Sequence, residues 1–340
     1  CVLPCPPWQM IFTMNRKFIF LLIALIVLMA LPFVAEAIGE SYVISSMTRV
    51  LIFAMAAVSL DLIVGYGAMV SFGHAAFVGL GAYVAAILSF HVNEAIPVFN
   101  FPFSYDGSNN LLLILLVAML VAALVAAVTG LISLRTHGIH FIMITLAFAQ
   151  MLYYLFISLD TYGGEDGLLM QGRNQLPVID TSDDRSFYFL CLFILAVYIV
   201  LALRLVNSQF GRVIQGCKLN EKRMQALGFN TYWYRLTAYI IAATGAAVAG
   251  VLLANKTEYV DPGLFSWHLS GELLVMVILG GLGSIYGAVI GAIVYLLLEQ
   301  ILSAYTEHWM FYLGPILIFV VIFARNGLYG LLQKRLNGHA

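Results

Sequence analysis

"LLLILLVAMLVAALVAAVTGLISL", residues 111–134, runs for 24 residues without a charge. A helix that crosses a bilayer needs about 20 mainly apolar residues, so this stretch reads as a membrane span. Runs of the same kind recur along the chain. Of its 340 residues 62% are hydrophobic and 10% charged, and the mean hydropathy is +0.97. A soluble domain carries roughly 25% charged residues. The alternating short strands of a β-barrel are not visible. The fold class is therefore all-α: a polytopic α-helical integral membrane protein.

Hydropathy places about ten spans, over residues 18–35, 45–64, 72–90, 111–134, 139–158, 187–206, 236–254, 270–285, 286–303 and 310–325. Basic residues then orient them, because cytoplasmic loops hold the excess of Lys and Arg. With the N-terminus inside, the inner loops and tails collect Arg16, Lys17, Arg135, Arg204, Arg212, Lys218, Lys222, Arg223, Arg235, Arg325, Lys334 and Arg335, which is 12 of the 16 basic residues. The outer loops take Arg173, Arg185 and Lys256, and Arg49 falls beside the second span. Both termini are expected to be cytoplasmic. Residues 1–13, with three prolines and no periodicity, are expected to be a start-site artefact, leaving 14–340 as a single transmembrane domain. The sequence Ala35-Glu36-Ala37 also fits a signal-peptide cleavage site, although the apolar run before it is long for one.

Two loops stand out. Residues 160–186, outside, carry six acidic residues and three glycines within five positions. The ligand spacing of an EF-hand is absent, so a solvated loop is expected there. Residues 207–235, inside, hold five basic residues and one acid. Within this loop "KLNEKRMQALGF", 218–229, patterns as a short helix, expected over 217–228: Leu219, Arg223, Ala226 and Leu227 fall at i, i+4, i+7 and i+8. Gly228 stands where a C-terminal cap glycine belongs. Basic residues in such a loop set topology and touch anionic lipid, but an exposed apolar stripe also wants a protein partner.

Within the spans a few residues break the apolar pattern. Asp61 lies at membrane depth, where a charge usually faces the bundle interior; Arg49 is a candidate partner. Glu272 and Glu299 lie in or beside spans. Gln150 reads as an interhelical hydrogen-bonding residue. "GYGAMVSFGHAAFVGLGAY", 65–83, has five glycines with Ser71 and His74 among them. It fits either a tight cytoplasmic turn or a half-buried element near a translocation path, since non-helical backbone at membrane depth needs protein or water around it. "GGLGSIYGAVIGA", 280–292, places Gly283, Gly287 and Gly291 four apart. That is one small-residue stripe for close helix packing, or a broken helix lining a pathway. Asp61, Ser71, His74, Gln150 and Glu272 are the candidates for a translocation path.

Catalytic and cofactor readings find no support. No phosphate-loop, HExxH or nucleophile motif occurs. His137 and His140 are three apart, with no further ligands in view for a metal. Cys1, Cys5, Cys191 and Cys217 show no paired spacing. No cofactor, metal or nucleic-acid partner is expected.

Taken together, "SFGHAAFVGLGAY", "THGIHFIMITLAFAQ", "YGGEDGL", "NEKRMQALGFN" and "LFSWHLSGELLVMVILGGLGSIYGAVIGA" occur in an order that resembles the permease subunits of branched-chain amino acid ABC transporters, over about residues 40–325. The resemblance implies a multi-pass subunit of a bacterial inner membrane, paired with a second, similar permease. Two cytoplasmic ABC ATPase subunits would hydrolyse ATP, and a periplasmic binding protein would deliver substrate. It implies that 212–228 holds the coupling helix that contacts the ATPase, with Leu219, Glu221, Arg223, Ala226, Leu227 and Gly228. Related permeases carry urea, short amides or aromatic acids, and more distant ones simple sugars; no residue here separates them. From the residues alone, an ion-coupled secondary transporter using Asp61 and Glu299 is the competing class.

Overall fold

The computed structural model describes residues 28–36, 39, 41–94, 107–176, 180–323 and 327–330. Residues 1–13, and the 18–27 part of the first expected span, lie outside the described residues. The elements are α1 (28–36), α2 (Ser41–Val64), α3 (His74–Glu94), α4 (Leu111–Ser133), α5 (Ile139–Ile157), α6 (Asp184–Asn207), α7 (Gln209–Ala226), α8 (Thr231–Thr257), α9 (Trp267–Gly280), α10 (Ile285–Tyr305) and α11 (Trp309–Phe323). Among the described residues, α2, α3, α4, α5, α6, α8 and α10 are long and apolar enough to cross a membrane, seven in all. The expected spans at 270–285 and 310–325 are shorter apolar helices, α9 and α11, of 14 and 15 residues. The chain is thus a multi-pass, all-α membrane protein.

The core is built from small residues. α8 packs against α2, α3 and α4, and its middle reads Ala242, Ala243, Gly245, Ala246, Ala247, Ala249, Gly250, all but Gly245 and Gly250 alanine. Its crossing with α3 is close. A Cβ at Gly250 would lie 1.9 Å from the Val78 carbonyl oxygen, and one at Gly81 would lie 2.0 Å from that of Ala247. Hydrocarbon tails are as apolar as leucine, so helices in lipid associate through such backbone-level packing rather than by hydrophobic burial.

α4 shows the same logic from outside. Its buried face is Ile114, Ala118, Ala122, Ala126 and Gly130, while Leu112, Leu116, Leu120, Leu124 and Val128 are exposed at i, i+4 spacing. An exposed stripe of leucines is the reverse of a soluble helix. It suits a helix whose solvent is lipid.

One end of the bundle gathers the C-terminus of α2, the α4–α5 turn, α7, the start of α8 and the α9–α10 break. The other end is tied by a two-residue antiparallel pair, β1 (Leu168–Leu169) with β2 (Tyr259–Val260). There the loop over 160–186, expected to be solvated, keeps most of its acidic side chains exposed but is tied down at one arginine. The Arg173 guanidinium pairs with Asp184 and lies 3.5 Å from Glu258, and it donates to the Thr181 carbonyl at 3.1 Å. Asn174 and Thr181 are buried. Asp184 from the loop and Glu258 from the end of α8 thus flank Arg173, which ties this part of the loop to the bundle, while Asp160, Glu165, Asp166, Asp180 and Asp183 stay exposed. Asp183 caps α6 by accepting from the Ser186 N–H at 3.1 Å, a bond that holds its carboxyl below the usual range.

Candidate functional site

Three groupings of the sequence-predicted residues emerge. The first lies at the α7 end. Asp61, fully buried near the end of α2, accepts from the Gly283 N–H at 2.8 Å. Its Oδ2 is buried with no hydrogen-bond partner among the described residues. Arg49 as its partner is corrected: the two are twelve positions apart on one helix, about 18 Å along its axis. Close by, Lys218 on α7 donates to the Gly65 carbonyl at 2.5 Å. Gly65 has no room for a side chain, since a Cβ there would lie 2.0 Å from Asp61 Oδ1 and 2.3 Å from the Gly283 nitrogen. Two backbone segments remote in sequence therefore meet at this carboxylate.

The segment 65–73 between α2 and α3 is non-helical and mostly buried. Ser71 is buried, its oxygen accepting from the Gly73 N–H at 3.2 Å. His74 opens α3, fully buried, with Nε2 2.7 Å from Ser59 Oγ. Ser59 Oγ also lies 2.8 Å from the Ala56 carbonyl, so a Ser59 hydroxyl that donates there would accept from a His74 protonated at Nε2. Ser59 was not singled out by sequence, since a serine in an apolar run carries no signal. Of the other glycines in the stretch, Gly79 and Gly81 belong to α3 and pack against Phe265 and Ala247.

The second grouping is an ion pair within the spans: Arg49 on α2 and Glu299 on α10, at 3.2 Å. Arg49 also lies over the Phe53 ring, 5.4 Å from its centroid. Glu272, on α9, interacts electrostatically with both members of the pair. Gln150, on α5, joins neither grouping and makes no hydrogen bond among the described residues, which corrects its interhelical reading.

The glycine stripe over 280–292 is also corrected. Gly283 is not on a helix with Gly287 and Gly291. It lies in the break between α9 and α10, with φ +79°, a conformation that costs glycine little. The close packing runs instead through Gly280, Gly287 and Gly291. A Cβ at Gly280 would lie 1.9 Å from the Gly287 carbonyl oxygen, and one at Gly291 would lie 1.9 Å from that of Met276. Ser284 starts α10 by accepting from the Gly287 N–H at 3.2 Å.

The third grouping is α7. Asn220 interrupts it with extended backbone, φ −158°, ψ 100°. This corrects the expected continuous helix over 217–228: Leu219 precedes the kink, while Arg223, Ala226 and Leu227 follow it. The Asn220 side chain accepts from the Arg223 N–H at 3.0 Å and restarts the helix. Gly228, φ +91°, ends it. Its N–H goes to the Gln225 carbonyl and that of Phe229 to Met224, the two bonds of a Schellman cap. Glu221 turns inward, 2.9 Å from Arg235 and 3.3 Å from His137. Leu219 is 86% exposed and Leu227 64%, and Arg223 and Ala226 are exposed as well.

Two further features bear on the site. A cavity of ≈ 370 Å³ opens between α2, α4, α6 and α8, lined by residues such as Met55, Leu62, Met119, Tyr198 and Thr244. None of the sequence-predicted site residues lines it. Among the described residues no group of three or more His, Cys, Asp or Glu side chains comes together to hold a metal.

The chain is 24% identical to the high-affinity branched-chain amino acid transport system permease protein LivM of Salmonella typhimurium, over 95% of this chain and 77% of that protein. The figures are the same for LivM of Escherichia coli K12. LivH of Escherichia coli K12 is 33% identical over 126 residues, 36% of this chain and 40% of that one. No solved structure matches. Residues 42–324 match the family described as branched-chain amino acid transport system / permease component, and the chain belongs to that family.

Proposed function

We propose that this chain is the transmembrane permease subunit of a binding-protein-dependent ABC importer for branched-chain amino acids, in a bacterial inner membrane. It forms the translocation path with a second, homologous permease. Two cytoplasmic ABC ATPase subunits drive it, and a periplasmic binding protein supplies the substrate. The single observation that carries this reading is the family match across residues 42–324. Relatives named for branched-chain amino acid transport, LivM and LivH, favour that substrate over urea, amides or aromatic acids.

The α7 end of the bundle is the cytoplasmic one in this reading, as the twelve basic residues suggest. The kinked helix, with Leu219 and Leu227 exposed on either side of Asn220, serves as the ATPase-contacting element. The family match disfavours an ion-coupled mechanism, and the carboxylates it would use have structural partners. Asp61 is held on the Gly283 N–H and Glu299 on Arg49.

The test is affinity purification of the tagged chain, then leucine uptake into vesicles that hold the purified complex. ATPase subunits should accompany the chain, and uptake should require both ATP and the binding protein. Uptake driven by an ion gradient without ATP would overturn the reading.

A further inference from the structure

Lys218 is the position at which α7 meets two other segments of the bundle at once, the turn after α2 and the α9–α10 break. Its ammonium grips the carbonyl of Gly65, at 2.5 Å. Gly65 in turn abuts the α9–α10 break so closely that a Cβ on it would lie 2.3 Å from the Gly283 nitrogen. Gly283 donates to Asp61, and Asp61 and Lys218 interact electrostatically across the turn. A chain of contacts therefore runs from α7 through Lys218 to Gly65, Asp61 and Gly283. It ends at the break between α9 and α10, with positive φ at Gly281 and Gly283. The other polar anchor of this region, Glu221, follows the kink and reaches a different place, the start of α8 and the α4–α5 turn.

We propose that Lys218 is a positioning residue for transport, carrying displacement of the cytoplasmic helix into the α9–α10 break. The proposal rests on the ABC-importer reading. The kink at Asn220 separates two anchors: Glu221, beyond it, ties α7 to the start of α8 and the α4–α5 turn, while Lys218, before it, ties α7 to the turn that follows α2.

The experiment uses the whole complex, with the second permease, the ATPase subunits and the binding protein, in vesicles loaded with ATP. Leucine uptake and ATP hydrolysis are measured together in the parent, Lys218→Met and Lys218→Arg. Lys218→Met should assemble and hydrolyse ATP, yet take up leucine with a yield per ATP lowered about fivefold or more. Lys218→Arg, which can still donate to the Gly65 carbonyl, should restore most of that yield. A parental yield in Lys218→Met would overturn the proposal. So would equal impairment of the two variants, or failure of both to assemble, because then the side chain would matter only for structure. Failure of the parent complex to couple leucine uptake to ATP would overturn the transport reading itself, a distinct outcome.

Discussion

The carboxylate of Asp61 and the backbone N–H of Gly283 are hydrogen-bonded at 2.8 Å across 222 positions of sequence. The bond joins the end of α2 to the break between α9 and α10, beside Gly65, where a Cβ would lie 2.0 Å from the same carboxylate oxygen. A hydrogen bond to a charged group contributes about 1.5–3 kcal/mol. The second oxygen, buried and unpartnered, leaves the charge dependent on this contact and on Lys218.

Asp61→Asn keeps an acceptor oxygen for Gly283 but removes the charge. Insertion into the membrane should be unchanged, because the spans and their flanking basic residues are unaltered. Uptake should fall by about tenfold or more, the factor that corresponds to roughly 1.4 kcal/mol. Parallel measurement of membrane yield and leucine uptake checks this; parental uptake in Asp61→Asn would remove the charge from the mechanism.

At the α3–α8 crossing, Gly250→Val would force a side chain into the Val78 carbonyl, which stands 1.9 Å from the position of its Cβ. Backbone cannot yield as a side-chain tip does. The crossing must open, at a cost of about 1–3 kcal/mol or more. Gly314→Ala, on α11, where nothing lies within 4 Å of the added atom, is the control. Thermal melting in detergent should show a clear loss for Gly250→Val and little for the control; equal melting of the two would refute the crossing.

Arg49 and Glu299 offer a test of the ion pair inside the spans. Arg49→Met would leave Glu299 and Glu272 near each other without a cation, and uncompensated charges in such places are costly. Arg49→Met/Glu299→Gln removes both charges of the pair. The double variant should be recovered in better yield than Arg49→Met alone, with a coupling of about 1 kcal/mol, within the range seen for contacting pairs. Additive losses would show that the two side chains do not depend on each other.

Much of the scaffold was legible in sequence because the bilayer imposes a length and an apolar composition on every span. The run at 111–134 became α4 almost residue for residue, and the basic residues grouped on one side of the predicted spans. Contacts between spans were not legible. Nothing in "GGLGSIYGAVIGA" says that Gly283 leaves the helix, because a glycine every four residues serves a packed helix and a broken one alike. Asp61 announced itself as a buried charge, but its partner is a backbone N–H, which every residue except proline possesses. Lys218 was hidden among four other basic residues of its loop. Only its reach to Gly65 separates it from them. The kink at Asn220 was likewise invisible, since an asparagine suits a helix start as readily as a solvated loop position.

The sidedness of the α7 end is checked by labelling single cysteines in intact cells. Lys222 and Glu165 are both exposed, on α7 and in the loop at the opposite end. A membrane-impermeant maleimide should modify Glu165→Cys from outside and reach Lys222→Cys only after permeabilisation. Labelling of both from the same side would overturn the orientation.

Ala226 and Gly228 test the contact itself. Ala226 lies in the last turn of the segment after the kink, exposed and small, and Gly228 holds the left-handed cap that turns the chain away. Ala226→Arg should insert and fold normally, because the position is exposed, yet clash with an ATPase seated on the helix. Gly228→Val acts differently. A β-branched side chain at φ +91° strains the backbone by about 1–3 kcal/mol and loosens the Schellman cap, so the helix end should fray. Ala226→Arg should therefore reduce co-purified ATPase sharply. Gly228→Val should reduce it in part, and cooling should restore some of the loss, since fraying is a local equilibrium that shifts with temperature. An Ala226→Arg complex with a full complement of ATPase and parental leucine uptake would leave this helix without a docking role, and its basic residues as topology signals alone.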